Sequence, residues 1–227
     1  AEVRTDAEGH PSYTFYRQGT ADRALVASPP LSALPEAFTA LHFGSLTLAQ
    51  GADWPAWRAA IVAAKARGAF IAFDPNLRPA LMDDMAAYRE RLPEAIALAD
   101  LVKASDEDLS LLAPDHAPEE TLKAWLDSAQ TVVLTEGAKG ARLWTASGVV
   151  ATCRETIAGP IVDTVGAGDT FQAALLAWLY QRGLLGQALN ATEAKALLGF
   201  ATQAAGLNCQ KAGCQPPTLS ALEGASL

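Results

Sequence analysis

Ile161-Val162-Asp163-Thr164-Val165-Gly166-Ala167-Gly168-Asp169-Thr170-Phe171 is the stretch on which the reading of this chain turns. Its apolar start predicts a short strand that runs into a glycine-rich turn and then into the strongly apolar, helix-like run 172–181. Gly166, Ala167 and Gly168 strip the backbone of side chains where that helix begins. Consecutive N–H groups can then face outward, and the helix dipole adds partial positive charge, which makes the turn a ready site for an anion such as phosphate. Asp169 stands at the helix start, where the dipole keeps its carboxylate ionised and able to accept a proton or orient a hydroxyl. The turn is not a Walker-type phosphate loop, because no Lys precedes Thr170, and Phe171 occupies the place of the third glycine of a dinucleotide fingerprint. The plainer alternative is a tight strand-to-helix turn whose Asp caps the helix.

Working outward, the residues before this turn alternate strand with helix. Strands are predicted over residues 41–45, 69–73, 101–103 and 131–134, with helices over 54–67 (closed by Gly68), 82–99, 106–112 and 119–128. Pro93 is expected to kink or divide the 82–99 helix. Residues 142–144 and 149–151 flank an Ala146-Ser147-Gly148 turn and read as an antiparallel pair. After the central turn come a helix ending near Arg182-Gly183, another over 192–206 and a short terminal piece over 218–222. The alternation predicts an α/β fold with a mostly parallel sheet and helices on both faces. Sites then belong at the C-terminal ends of the strands. Near the start, residues 12–17 and 23–27 are predicted to pair as a hairpin around Gly19. This divides the chain into a small β portion over residues 1–30 and an α/β portion over 31–227.

Three strand ends carry candidate chemistry, each beside a simpler reading. Asp74-Pro75-Asn76-Leu77-Arg78-Pro79 reads as a proline-punctuated turn, yet the Arg78 guanidinium at a strand end suits bidentate contact with phosphate oxygens. Lys103-Ala104-Ser105-Asp106-Glu107-Asp108 reads as a helix start with Ser105 as N-cap and Asp108 completing a shortened capping box. Thr135-Glu136-Gly137-Ala138-Lys139-Gly140 reads as a turn into the next strand.

With 227 residues the chain can bury one large core. A formal charge of -8 argues against a surface built for nucleic acid or anionic lipid, and no stretch has the length and purity of a membrane span. Three cysteines, Cys153, Cys209 and Cys214, make neither a disulfide framework nor a zinc pair. No secretory signal is visible in the first residues, and the expectation is a soluble cytoplasmic protein.

Asp-Thr-Val-Gly-Ala-Gly-Asp-Thr-Phe over residues 163–171 resembles the second signature of the ribokinase-like (PfkB-type) carbohydrate kinases, which use ATP and Mg²⁺. The resemblance implies that residues 166–168 form the anion hole for the transferred phosphoryl group and that Asp169 is the base facing the sugar hydroxyl. It implies that Arg78 helps to stabilise that group, that Thr135, Gly137 and Gly140 line the nucleotide, and that Ser105 and Asp108 stand where the family has Asn-x-x-Glu. Asp108 then retains an outer-sphere role toward Mg²⁺ through water. Residues 204–209 and 213–217 resemble the loop that closes over adenine and in some members holds a monovalent cation. Asp163 would give a carboxylate to such a cation or pin the turn, and Pro217, in place of a hydroxyl, leaves K⁺ dependence open.

Tyr13-Thr14-Phe15-Tyr16-Arg17 with Gly19-Thr20-Ala21-Asp22 resembles the lid strands of the bacterial fructokinase branch, which places Arg17 at the sugar and allows a homodimer through the lid. The hexapeptide 74–79 is similar to segments of fructokinases and of 2-keto-3-deoxygluconate kinases. The expected activity is ATP-dependent phosphorylation of a primary sugar hydroxyl, with fructose first, 2-keto-3-deoxygluconate second, and a non-catalytic nucleotide-binding fragment as the reading from another class. The family's opening strands, with their substrate-binding Asp and Gly-Gly signature, are expected to precede the point at which this chain starts.

Overall fold

Phe70-Ile71-Ala72-Phe73-Asp74 is buried at all five positions, the pattern of a strand covered on both faces, and the parallel strands beside it are built to match. The structure, a computed structural model, describes residues 2–5, 11–14, 16, 20, 34–82, 84–154 and 159–222. Its strands are β1 (Glu2–Thr5), β2 (Pro11–Thr14), β3 (Ala40–Gly44), β4 (Phe70–Asp74), β5 (Leu101–Ser105), β6 (Thr131–Thr135), β7 (Ala141–Thr145) and β8 (Val150–Cys153). The helices are α1 (Trp54–Ala66), α2 (Met85–Leu98), α3 (Asp106–Leu112), α4 (Pro118–Trp125), α5 (Ala167–Gln181), α6 (Ala191–Cys209) and α7 (Leu219–Leu222). The larger sheet takes its six strands in chain order, β3 to β8, and β1 pairs with β2 in a sheet of their own. The chain forms two compact units, residues 16–134 and residues 1–15 with 135–227.

In the first unit, β3 lies parallel to β4 and β4 parallel to β5. The Phe43 and Phe73 rings stack at 4.7 Å. The β-to-α punctuation follows the local chemistry. Pro55 enters α1 at its first turn, Gly68 leaves it with φ 83°, and the Asp84 carboxylate accepts from the Ala86 and Ala87 amides to start α2. Pro93 does not divide α2, which runs unbroken from Met85 to Leu98. Its cost is one backbone hydrogen bond, and the buried face of Tyr88, Leu92, Ala95 and Ile96 holds the helix through that gap. Arg89 on the same helix donates to the Leu111 and Leu112 carbonyls, closing the C-terminal end of α3.

In the second unit, α6 packs against α5, α7 and the antiparallel pair β7–β8. Asn190 and Glu193 exchange side-chain-to-backbone bonds as a capping box at the start of α6.

One expectation is corrected. Residues 161–163 do not form a strand: Ile161 and Val162 stay 55% and 53% exposed, and the Val162 and Asp163 amides both bond to the Cys209 carbonyl instead of a strand ladder. The early strand β2 pairs with Glu2–Thr5, a strand without a sequence signal, in register from Glu2 opposite Thr14 to Thr5 opposite Pro11. Residues 23–27 and Arg17 lie outside the described residues.

Candidate active site

The central turn is shaped by one backbone choice. Gly166 takes φ 77°, the left-handed conformation, and stands as the N-cap of α5 without any side-chain cap. The Ala167 amide bonds the Thr164 carbonyl at 3.1 Å, and the Thr170 amide bonds the Gly166 carbonyl at 2.8 Å. Of the three amides expected to face an anion, Ala167's is thus already engaged. Gly166 and Gly168 show no amide partner among the described residues.

Asp169 sits in the first turn of α5, exposed. It does not cap the helix, and it takes no hydrogen bond or ion pair among the described residues. A carboxylate spent on capping would accept from a nearby amide, as Asp84 does. Asp169 is left facing solvent beside uncapped amides.

Asp163 holds the turn from the other side. Its Oδ1 accepts from the Val165 amide at 2.9 Å and its Oδ2 from the Gly213 amide at 2.7 Å. These backbone donors, Val165 first and Gly213 next, hold its carboxyl below the usual range. Of the two roles open to Asp163, pinning the turn is the one for which the structure supplies partners. The loop 213–215 then lies on Gly166 so closely that a Cβ there would stand 2.2 Å from Cys214 Sγ. Gly166→Ala therefore meets both a left-handed backbone and a collision, and it is expected to cost about 2–5 kcal/mol of stability. Urea melts of the variant, alone and with Cys214→Gly, measure this. The second change should return part of the loss, and a Gly166→Ala protein that melts like wild type would show that the loop yields freely.

Thr135 ends β6, and residues 136–140 fold back through bonds from the Glu136 amide to Gly140 O at 2.9 Å and from the Gly140 amide to Gly137 O at 3.0 Å. Gly137 and Gly140 both have positive φ, 53° and 97°, and a Cβ on Gly137 would meet nothing within 4 Å. The turn requires Gly137 for its backbone and leaves the space above it open. Arg142 grips Glu136 with two bonds, 2.9 and 3.1 Å, and lies over the Trp144 ring, which stiffens the strand that leaves the turn.

The remaining candidates belong to the other unit. Ser105 caps α3 as expected, its Oγ accepting from the Asp108 amide while Asp108 Oδ2 accepts from the Ser105 amide and hydroxyl. Asp108 is buried, and its Oδ1 accepts from the Leu77 amide at 2.7 Å. The capping reading thus accounts for both residues, and Asp108 further ties the 74–79 turn to α3. In that turn Asn76 has φ 37°, a conformation Asn tolerates, and Arg78 Nη1 donates to its own loop at Leu77 O, 2.8 Å.

Lys103 and Asp74 form a pair that their separation in the sequence does not announce. Both are buried, 4% and 2% exposed, and Lys103 Nζ meets Asp74 Oδ2 at 2.6 Å. Burial outweighs the pull of Lys103 and holds the Asp74 carboxyl above the usual range. Tyr88 is fully buried nearby in charge terms, its hydroxyl pushed up by burial first and then by Asp108 and Asp74. Asn208 is a second residue whose role emerges only in the fold. It continues the buried face Ala201, Ala204 of α6, and a polar residue at that spacing is the signal that points to it.

Among the described residues no group of three or more His, Cys, Asp or Glu could hold a metal ion, and no helix is long and apolar enough to cross a membrane.

The strand and helix order with a glycine turn opening α5 is that of the ribokinase-like fold. The fructokinase of Vibrio cholerae O395, solved with fructose, ADP and calcium ion bound, matches it with a TM-score of 0.80 at 29% identity, over 98% of this chain and 71% of that one. The chain belongs to the pfkB family of carbohydrate kinases, whose model matches residues 2–221. Curated relatives include the fructokinase of Rhizobium leguminosarum bv. trifolii, 36% identical over 178 residues, 78% of this chain and 53% of that protein. The fructokinase of Vibrio alginolyticus is 35% identical over 182 residues, 78% of this chain and 57% of that protein. The chain spans about half the length of the curated relatives it matches.

Proposed function

We propose that the protein carrying this chain transfers the γ-phosphoryl group of Mg-ATP to a primary hydroxyl of fructose. The observation that carries this reading is the Asp169 carboxylate, exposed and without a partner among the described residues, one residue after Gly168 at the start of α5. Its family and its fructokinase relatives support the substrate class.

Phosphoryl transfer proceeds through a loose transition state, so the protein's task is to position the partners and stabilise charge. Asp169 orients the sugar hydroxyl and takes its proton as the bond to phosphorus forms. The Gly166 and Gly168 amides, with the helix dipole behind them, face the equatorial oxygens. Thr135 and Gly137 border the nucleotide. Mg²⁺ enters as part of the substrate, held chiefly by phosphate oxygens and water, since Asp108 is spent on Leu77 and Ser105. Asp163 and Asn208 hold the turn in place for these steps.

A coupled ADP-release assay on the full-length protein with fructose, 2-keto-3-deoxygluconate, ribose and adenosine tests this. Fructose is expected to give the highest kcat/KM. Preference for the keto-acid would reassign the substrate, and no turnover with any of the four would remove the kinase reading.

A further inference from the structure

Asn208 is completely buried on the last turn of α6, and both ends of its carboxamide are hydrogen-bonded. Its Nδ2 donates to the Val165 carbonyl at 2.8 Å, and its Oδ1 accepts from the Gln215 amide at 2.8 Å. A carbonyl demands a donor and an amide demands an acceptor, so the two neighbours fix which end of the carboxamide is which. An uncharged amide of this length serves both at once.

The Val165 carbonyl shares its peptide plane with the Gly166 N–H. In a trans peptide the two point in opposite directions, so a bond that fixes the carbonyl on one side aims the N–H to the other. Asp163 grips the same residue by its N–H and reaches across to the Gly213 amide. The two side chains therefore hold Val165 at both ends and the 213–215 loop at two points, with Cys214 seated on Gly166 between them. Hydrogen bonds that hold both sides of one residue's backbone restrict the rotation of its peptide planes.

We propose that Asn208 is a positioning residue of the phosphoryl-transfer site, aiming the Gly166 amide and locking the 213–215 loop onto the turn. The inference rests on the kinase reading for its catalytic consequence, but its geometry stands apart from it.

Two substitutions in the full-length protein separate the two bonds. Asn208→Asp keeps the acceptor for Gln215 and loses the donor to Val165, whereas Asn208→Ala loses both. Hydrogen exchange in Asn208→Asp should accelerate about 10-fold at residues 165–168 and stay at wild-type rates at 213–215, while Asn208→Ala should accelerate both segments. In turnover, both variants should lose about 10- to 100-fold in kcat with the sugar KM within about twofold of wild type. The ATP-analogue Kd should weaken only in Asn208→Ala. Thermal melts confirm that the measured protein is folded, and Asn208→Ala carries the test if the buried carboxylate prevents folding.

Unchanged exchange at 165–168 in the folded variants would overturn the clamp whether or not the enzyme turns over. Accelerated exchange with undiminished kcat would overturn its positioning role. A wild-type protein without kinase activity would instead sink the proposed function, and exchange alone would then judge the clamp.

Discussion

Asp169→Asn in the full-length protein is expected to lower kcat by about 10²- to 10⁴-fold, the range for a lost acid–base group, with melting behaviour and ATP affinity close to wild type. The reason is the position of the carboxylate. Asp169 has no capping bond to lose, because Gly166 is the N-cap and no side chain caps α5. Asn keeps the shape and one acceptor oxygen, and the Gly166 and Gly168 amides keep their setting. It cannot take the proton from the sugar hydroxyl. A residue that served only the helix would show the reverse pattern, with a small loss of stability and unaltered kinetics. Steady-state kinetics beside a urea melt distinguish the two.

Lys103→Met is expected to have the largest effect on stability, a loss of about 3–5 kcal/mol at neutral pH, because it strands Asp74 in a buried site without its counter-charge. Asp74 Oδ1 already lacks a hydrogen-bond partner, so Lys103 is its main compensation. The loss carries a sign in pH. Burial raises the folded-state pKa of Asp74 above its unfolded value, and removing Lys103 raises it further. The folded state then binds more protons than the unfolded state between the two pKa values. Stability must fall as pH rises through that window, and acidification of Lys103→Met should recover part of the loss. Asp74→Leu combined with Lys103→Met removes both charges and should be milder than Lys103→Met alone. Denaturant midpoints of the three proteins at several pH values measure this. A Lys103→Met loss that does not shrink on acidification would show that Asp74 is not the stranded charge.

The order of these elements was legible where a segment's pattern has one solution. Phe70–Phe73 is apolar throughout and follows a helix closed by Gly68, so burial on both faces is readable. The Ser105 and Asp108 capping box was equally plain, because both partners lie within one turn. Ile161-Val162 carries the apolar signal of a strand without forming one. The Val162 and Asp163 amides bond the Cys209 carbonyl, 47 and 46 positions away in the chain, and the Ile161 and Val162 side chains remain outside. Glu2–Thr5 was missed because Val3 is its sole apolar residue, too few for a period-two signal.

The candidate site divides in the same way. Gly166, Gly168 and Asp169 announce themselves by spacing alone, since amides, dipole and carboxylate are neighbours in the chain. Asn208 with Val165 and Lys103 with Asp74 are pairs separated by 43 and 29 residues, and their partnership exists only after folding. Sequence patterning can flag such a residue as polar on a buried face. It does not say what that residue holds.

The most direct measurement is the single-turnover rate of γ-phosphoryl transfer to fructose, with ATP saturating, in wild-type and Asp169→Asn protein. The account predicts equal ATP occupancy and a transfer step slowed by about 10²- to 10⁴-fold in the variant. Equal single-turnover rates at equal occupancy would contradict it and remove Asp169 from the chemistry.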